Sequence, residues 1–148
     1  MDKYEIRIVQ ITLVMIAIFL FALLRATNKY SADLPACIPY DGSYTEPKIV
    51  QLDDSLYQIY MLAQMWSFEP EEIFLPVGAE VDLYLSSKDV VHGLNIYNKN
   101  VNMMAVPGGI NKTTIKFDEP GVYQVVCHEY CGSGHQHMRA EIIVNYPN

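Results

Sequence analysis

Basic residues are in short supply in this chain. Its 148 residues include ten Lys and Arg against seventeen Asp and Glu, a formal net charge of −7. From Ser31 onward six basic residues face fifteen acidic ones, a net charge of −9. That balance argues against nucleic acid as a partner, because phosphates are bound by clustered cations. An acidic surface speeds the approach of a basic protein. It also serves solubility, and charge alone does not choose between the two. Cysteine is scarce as well, with three residues. An odd count gives no disulfide framework. Cys37 has no ligand-type neighbour and reads as a spacer cysteine without catalytic importance. Tryptophan occurs once, at Trp66. The chain has no internal repeat, no low-complexity tract and no arrangement of acid, base and nucleophile that would make it a catalyst by itself.

Charge is missing altogether from residues 8–24, IVQITLVMIAIFLFALL, where only Gln10 and Thr12 are polar. With its flanks the run reaches about 20 residues, enough to cross a bilayer as a helix. A cleaved signal peptide would have a shorter apolar core and small residues at its cleavage site. Here Arg25, Thr27, Asn28 and Lys29 follow instead. A buried core helix would keep a polar face. Length and flanks therefore predict a transmembrane anchor over residues 1–30 in contact with the lipid bilayer. Lys3 and Arg7 precede it and Arg25 and Lys29 follow it, so the basic flanks balance and assign no orientation.

Residues 31–55 are rich in Pro, Asp, Ser and Tyr and read as a linker with little regular structure. From Leu56 short β-like runs take over: 56–62, two runs within 73–87 split at Pro76 and Gly78, then 90–96, 101–106, 113–117, 122–127 and 138–144. Turn signals stand at Pro107-Gly108-Gly109 and Pro120-Gly121. No second amphipathic helix follows Arg25. Residues 56–148 are thus expected to form an all-β domain, a Greek-key β-sandwich or barrel, tethered by one helix.

The scarce residue types gather in residues 127–138, CHEYCGSGHQHM. Cys127, Cys131, His135 and Met138 lie between two β-like runs, so they belong to a loop, which can wrap several side chains around one point. Gly132 and Gly134 supply backbone freedom there. Thiolate, imidazole and thioether together suit copper. Structural zinc prefers four Cys or His ligands at other spacings and has no use for methionine. A mononuclear blue-copper site would use two His, one Cys and an axial Met, leaving one cysteine idle. Two cysteines four apart could instead bridge two copper ions, each then needing a terminal nitrogen. Outside the loop only His92 remains. A cupredoxin-like sandwich typically brings such an upstream histidine to the ligand loop. The alternative is a plain core or surface histidine, and a cluster short of one imidazole favours the ligand.

The pattern H…C-x-E-x-C-x-x-x-H-x-x-M, with Gly132 after the second cysteine, resembles the binuclear CuA centre of subunit II of haem-copper cytochrome c oxidases. One helix, a linker and a single domain make the chain most similar to the short single-helix subunit II of the B-type enzymes. The resemblance implies a cupredoxin-like Greek-key β-sandwich holding two copper ions. It implies Cys127 and Cys131 as bridging thiolates, His92 and His135 as terminal ligands, Met138 as a weak thioether ligand and the Glu129 backbone carbonyl as another. The Glu129 side chain would be free for a subunit interface. His128 and His137 fall at variable positions and read as bystanders, the His137 side chain pointing away. Trp66 and Phe68 stand where the family has aromatic residues at which electrons enter, and a packing role is their alternative.

The function implied is that of the subunit through which electrons enter a terminal oxidase. Electrons would pass from a c-type cytochrome to CuA and on to haem in subunit I, which carries haem and CuB and reduces oxygen with proton pumping. A small accessory subunit is a further expected partner. The N-terminus would then be cytoplasmic and the domain periplasmic, on the inner membrane. The competing function is a membrane-tethered copper-binding module for copper delivery or oxidase assembly, which would need a less saturated site. A nitrous oxide reductase would require a large additional propeller. A quinol oxidase subunit would lack the two cysteines.

Overall fold

The computed structural model describes residues 2–30, 36–37 and 44–146. The chain divides into two units, Met1–Ala32 and Asp33–Asn148. The first is the helix α1 (Lys3–Tyr30). Within it, Lys3–Thr27 has a mean hydropathy of 2.5 and is long enough to cross a membrane. Apolar side chains such as Ile8, Leu13, Phe19 and Leu24 point outward along it. Its two threonines return their hydroxyls to the helix, Thr12 Oγ1 donating to the Ile8 carbonyl and Thr27 Oγ1 to that of Leu24. No polar group of these side chains then needs water, as an apolar surrounding demands.

The second unit is built from eleven strands among the described residues. In chain order they are β1 (Ala36–Cys37), β2 (Lys48–Gln51), β3 (Leu56–Gln64), β4 (Ser67–Glu69), β5 (Glu72–Pro76), β6 (Ala79–Ser87), β7 (His92–Ile96), β8 (Val101–Ala105), β9 (Asn111–Phe117), β10 (Gly121–Val126) and β11 (Arg139–Asn145). One sheet runs β1-β9-β6-β3-β2, with β4 paired to β3; the other runs β5-β11-β10-β7-β8. Parallel pairing of β3 with β6 and of β5 with β11 requires the chain to leave one sheet at β5 and return at β6.

Alternation makes the core. In β6, Val81, Leu83 and Leu85 are buried while Glu80 is exposed. They pack with Ile59 and Met61 of β3 and with Ile73, Leu94, Ile96, Met103 and Ile142 of the facing sheet. Burying each such side chain contributes about 1.5–3 kcal/mol. Gly78 turns the chain between β5 and β6 at φ +89°, a conformation that L side chains rarely adopt.

The β-like runs read from the sequence correspond to β3 and to β5–β11. Three strands have no counterpart there. β1 and β2 lie within the stretch 31–55 read as a linker with little regular structure. They pair with β9 and β3 at the two edges of the first sheet. Two to four residues carry too little periodicity to be told from a loop, and sheet edges supply their hydrogen bonds. β4 is a three-residue return on β3. The backbone of Cys37 pairs with Asn111, and its side chain lies outside the described residues.

The register gathers three connections at one end. Ala63 pairs with Ser87, His92 with Ala105, and Val126 with Arg139. The turn after β3, the link from β6 to β7, and residues 127–138 between β10 and β11 therefore meet there. Leu83→Ala, at a position only 1% exposed, is expected to lose about 2–5 kcal/mol of stability. Chemical denaturation of the full chain measures this as a lowered midpoint.

Candidate metal centre

Two cysteines leave the strands at that end. Cys127 directly follows β10, and Cys131 lies four residues on; both are buried. Their sulfurs are 3.8 Å apart. Cys131 Sγ also lies 3.6 Å from His135 Nδ1 and 3.8 Å from Met138 Sδ. Cys127 Sγ lies 3.2 Å from the Glu129 carbonyl oxygen. The last turn of the loop, His135–His137, is a short 3-10 helix whose end delivers buried Met138 to the start of β11. Burial pushes the Cys131 thiol up to about 11, and its neighbour Cys127 adds to the shift.

A second imidazole comes from β7, the strand next to β10 in the second sheet. His92 opens β7 and is fully buried. Its ligand atom and the two cysteine sulfurs lie within 4.8 Å of one another. Its Nε2 is 2.8 Å from Asp89 Oδ1. A carboxylate accepts, so Nε2 is the donor, and in the neutral ring Nδ1 then keeps its lone pair. Nδ1 is buried and has no hydrogen-bond partner. An orphaned imidazole nitrogen beside two thiols, a second imidazole and a thioether is a donor set that fits copper.

Asp89 does more than touch His92. It also accepts from the backbone N–H of Met65 at 2.7 Å, through Oδ2, and from that of Val90 at 2.6 Å, through Oδ1. Partial burial would raise its pKa, yet these hydrogen bonds and the nearby His92 hold it below the usual carboxylate value.

Trp66 closes the centre from the β3–β4 turn. Its indole Nε1–H donates to the Cys131 carbonyl at 3.2 Å. A Cβ on Gly134 would stand 2.3 Å from its Cδ2, and one on Gly132 3.1 Å from its Nε1. Gly132 has φ +118°, so backbone freedom is needed there. Gly134 sits at φ −93°, where other residues are at ease. Its lack of a side chain is instead required by the indole, which amends the sequence reading of that glycine.

Each residue singled out from the sequence has a definite position. His92, Cys127, Cys131, His135, Met138 and the Glu129 carbonyl surround the two sulfurs. His137 is exposed. His128 is exposed too, but its ring packs on Gly93, where a Cβ would come within 2.5 Å of it. Trp66 is 41% exposed, whereas Phe68 is wholly buried in the core. Phe68, from β4, faces inward, the packing place that was its alternative. Sequence reasoning passed over Asp89. Its only sequence signal was an acidic residue three positions before the histidine.

The family model described as cytochrome c oxidase subunit II, periplasmic domain, matches residues 43–145. A cytochrome c oxidase subunit 2 of Thermus thermophilus is 34% identical over 112 residues, covering 74% of this chain and 83% of the relative. A chain in the cryo-EM structure of a haem-copper terminal oxidase dimer is 39% identical. It superposes with a TM-score of 0.83 over 97% of this chain and 100% of that one. Two more distant structures bear on the fold alone. The periplasmic domain of subunit II of cytochrome oxidase from Bradyrhizobium japonicum has 22% identity and a TM-score of 0.56, covering 60% of this chain and 83% of that one. Auracyanin A, a blue copper protein from Chloroflexus aurantiacus, has 12% identity and a TM-score of 0.50, covering 62% of this chain and all of that one. The sandwich is thus cupredoxin-like.

Two outcomes follow from this geometry. Gly134→Ala should displace the indole, shifting the emission of the only tryptophan and lowering the melting temperature; fluorescence and calorimetry measure both. Below pH 11 the Cys131 thiol must lose its proton on binding metal. Apparent copper affinity should therefore rise with pH, about tenfold per unit from this thiol alone. Chelator competition across pH measures the slope.

Proposed function

The chain belongs to the cytochrome c oxidase subunit II family, and on that premise we propose how it handles electrons. It is the subunit through which electrons enter the oxidase. In our reading it accepts them from a c-type cytochrome at a binuclear CuA centre and passes them to haem in subunit I. Oxygen is reduced there with proton pumping, and this chain itself performs no bond-making step.

One observation carries the reading: two buried sulfurs 3.8 Å apart, flanked by a buried imidazole nitrogen that has no protein partner. A copper pair held there would supply one-electron redox chemistry with little change in bonding. Cys127 and Cys131 would bridge it. His92 and His135, each through Nδ1, would be the terminal ligands, and Met138 and the Glu129 carbonyl the weak ones. The exposed Glu129 side chain stays free for a contact with subunit I. Strands on either side of the loop hold these donors still, which keeps reorganisation small. Trp66 is the residue we assign to receiving electrons, since it is half-exposed and its N–H reaches the Cys131 carbonyl.

Residues 1–30 would anchor the chain, with the N-terminus cytoplasmic and the domain in the periplasm. Residues 31–55 would connect the anchor to the copper domain, 56–148. A small accessory subunit would complete the complex. A copper-delivery module would need an exchangeable site, whereas His92, Cys127, Cys131 and Met138 are buried and come from two separate segments of the sandwich.

The full chain loaded with copper is expected to be purple, to bind two coppers and to give a mixed-valence EPR spectrum split by two equivalent nuclei. Cys131→Ser should abolish that splitting. A blue protein with one copper, or splitting that survives the substitution, would overturn the assignment.

A further inference from the structure

Asp89 spends its two carboxylate oxygens on two different connections. Oδ1 meets His92 Nε2 at 2.8 Å and the Val90 N–H at 2.6 Å; Oδ2 meets the Met65 N–H at 2.7 Å. The first pair belongs to the link from β6 to β7. The second belongs to the turn that carries Trp66, next in sequence to Met65. Ser87 fixes the carboxylate from behind, its Oγ lying 3.3 Å from Oδ1, accepting from the Asp89 N–H at 3.2 Å and donating to the Val90 carbonyl. Asp89 is 26% exposed in its side chain, His92 not at all.

We propose that Asp89 is a shared positioning residue: one carboxylate sets the His92 tautomer that turns Nδ1 toward the cysteines and also fixes the turn presenting Trp66. The ring at which electrons arrive and a ligand of the centre are then held in register by the same group. The inference rests on the copper reading above for the ligand role of His92, but its geometry is independent of metal. A hydrogen-bonded carboxylate also makes the imidazole a stronger donor, which favours the more oxidised centre.

The two oxygens make the proposal separable by substitution. In Asp89→Asn the amide oxygen can keep His92 and Val90, and the NH2 then faces the Met65 N–H, donor against donor. The reverse placement would mismatch two donors and force a proton onto Nδ1. Asp89→Asn should therefore preserve the His92 tautomer while freeing the Trp66 turn. Asp89→Ala should lose both.

The test uses the full chain in detergent. In the copper-free protein, nitrogen NMR of the histidines reads the tautomer and fluorescence reads Trp66. Expected is Nε2–H at His92 in wild type and Asp89→Asn, a tautomer mixture in Asp89→Ala, and altered Trp66 emission in both variants. In the copper-loaded protein, Asp89→Asn should raise the reduction potential, and Asp89→Ala should weaken copper binding about 10–100-fold. Unchanged tautomer and emission in both variants would overturn the proposal, as would an unchanged potential in a folded Asp89→Asn protein. A wild-type chain that holds no copper pair, yet shows the expected tautomer and emission changes, would overturn the copper reading and leave the brace standing.

Discussion

Everything at the metal end of the sandwich depends on an unfavourable burial. Two thiols, a thioether and an imidazole nitrogen are withdrawn from water at one spot, and His92 Nδ1 has no partner to replace the water it loses. Leaving such a group unsatisfied costs about 1–3 kcal/mol. The rest of the domain supplies what holds it there. A core from Ile59 to Ile142 keeps both sheets closed, and the sheet register delivers the connections to the same end. A metal bound there turns the cost into its own binding energy, since donors already desolvated and aligned have little left to lose.

The frame limits movement in a way that suits an electron carrier. His92 and Met138 are the first residues of, or adjoin, regular strands, and Cys127 follows another directly. Between them the loop is tied down by the Trp66 indole, seated on Gly132 and Gly134 and bonded to the Cys131 carbonyl. Outer hydrogen bonds of this kind orient ligands and tune a metal as much as the ligands do. An aromatic ring half-open to solvent thus rests directly on the loop that carries the sulfurs.

Much of this was legible in the sequence, for identifiable reasons. Eight strands announced themselves through β-branched and alternating runs, from 56–62 through 138–144. The apolar helix was read from a charge-free stretch whose meaning does not depend on context. Cys127, Cys131, His135 and Met138 were read from ligand type and spacing within one loop, His92 from the imidazole that the loop lacked, and the Glu129 carbonyl only through the family resemblance. β1, β2 and β4 were not legible, being too short for a period to register. Nor was the split between Trp66 and Phe68: two residues apart in sequence, they differ in that one lies in the turn and the other faces the core of β4. Asp89 was hidden because an aspartate in a turn looks the same whether it caps its own backbone or braces a histidine.

What the sequence by itself determined is local chemistry: a membrane-length apolar segment, alternating strands, and a loop holding two thiols, an imidazole and a thioether within twelve residues. Those properties follow from side-chain type and from spacing along the chain. Only the tertiary structure decided that His92 reaches that loop from thirty-five residues upstream, that Asp89 fixes which nitrogen it offers, and that an indole seals the far side. Each of these is a contact between segments distant in sequence. It is set by sheet register and by the room left at a glycine, and neither is written in any one stretch of residues.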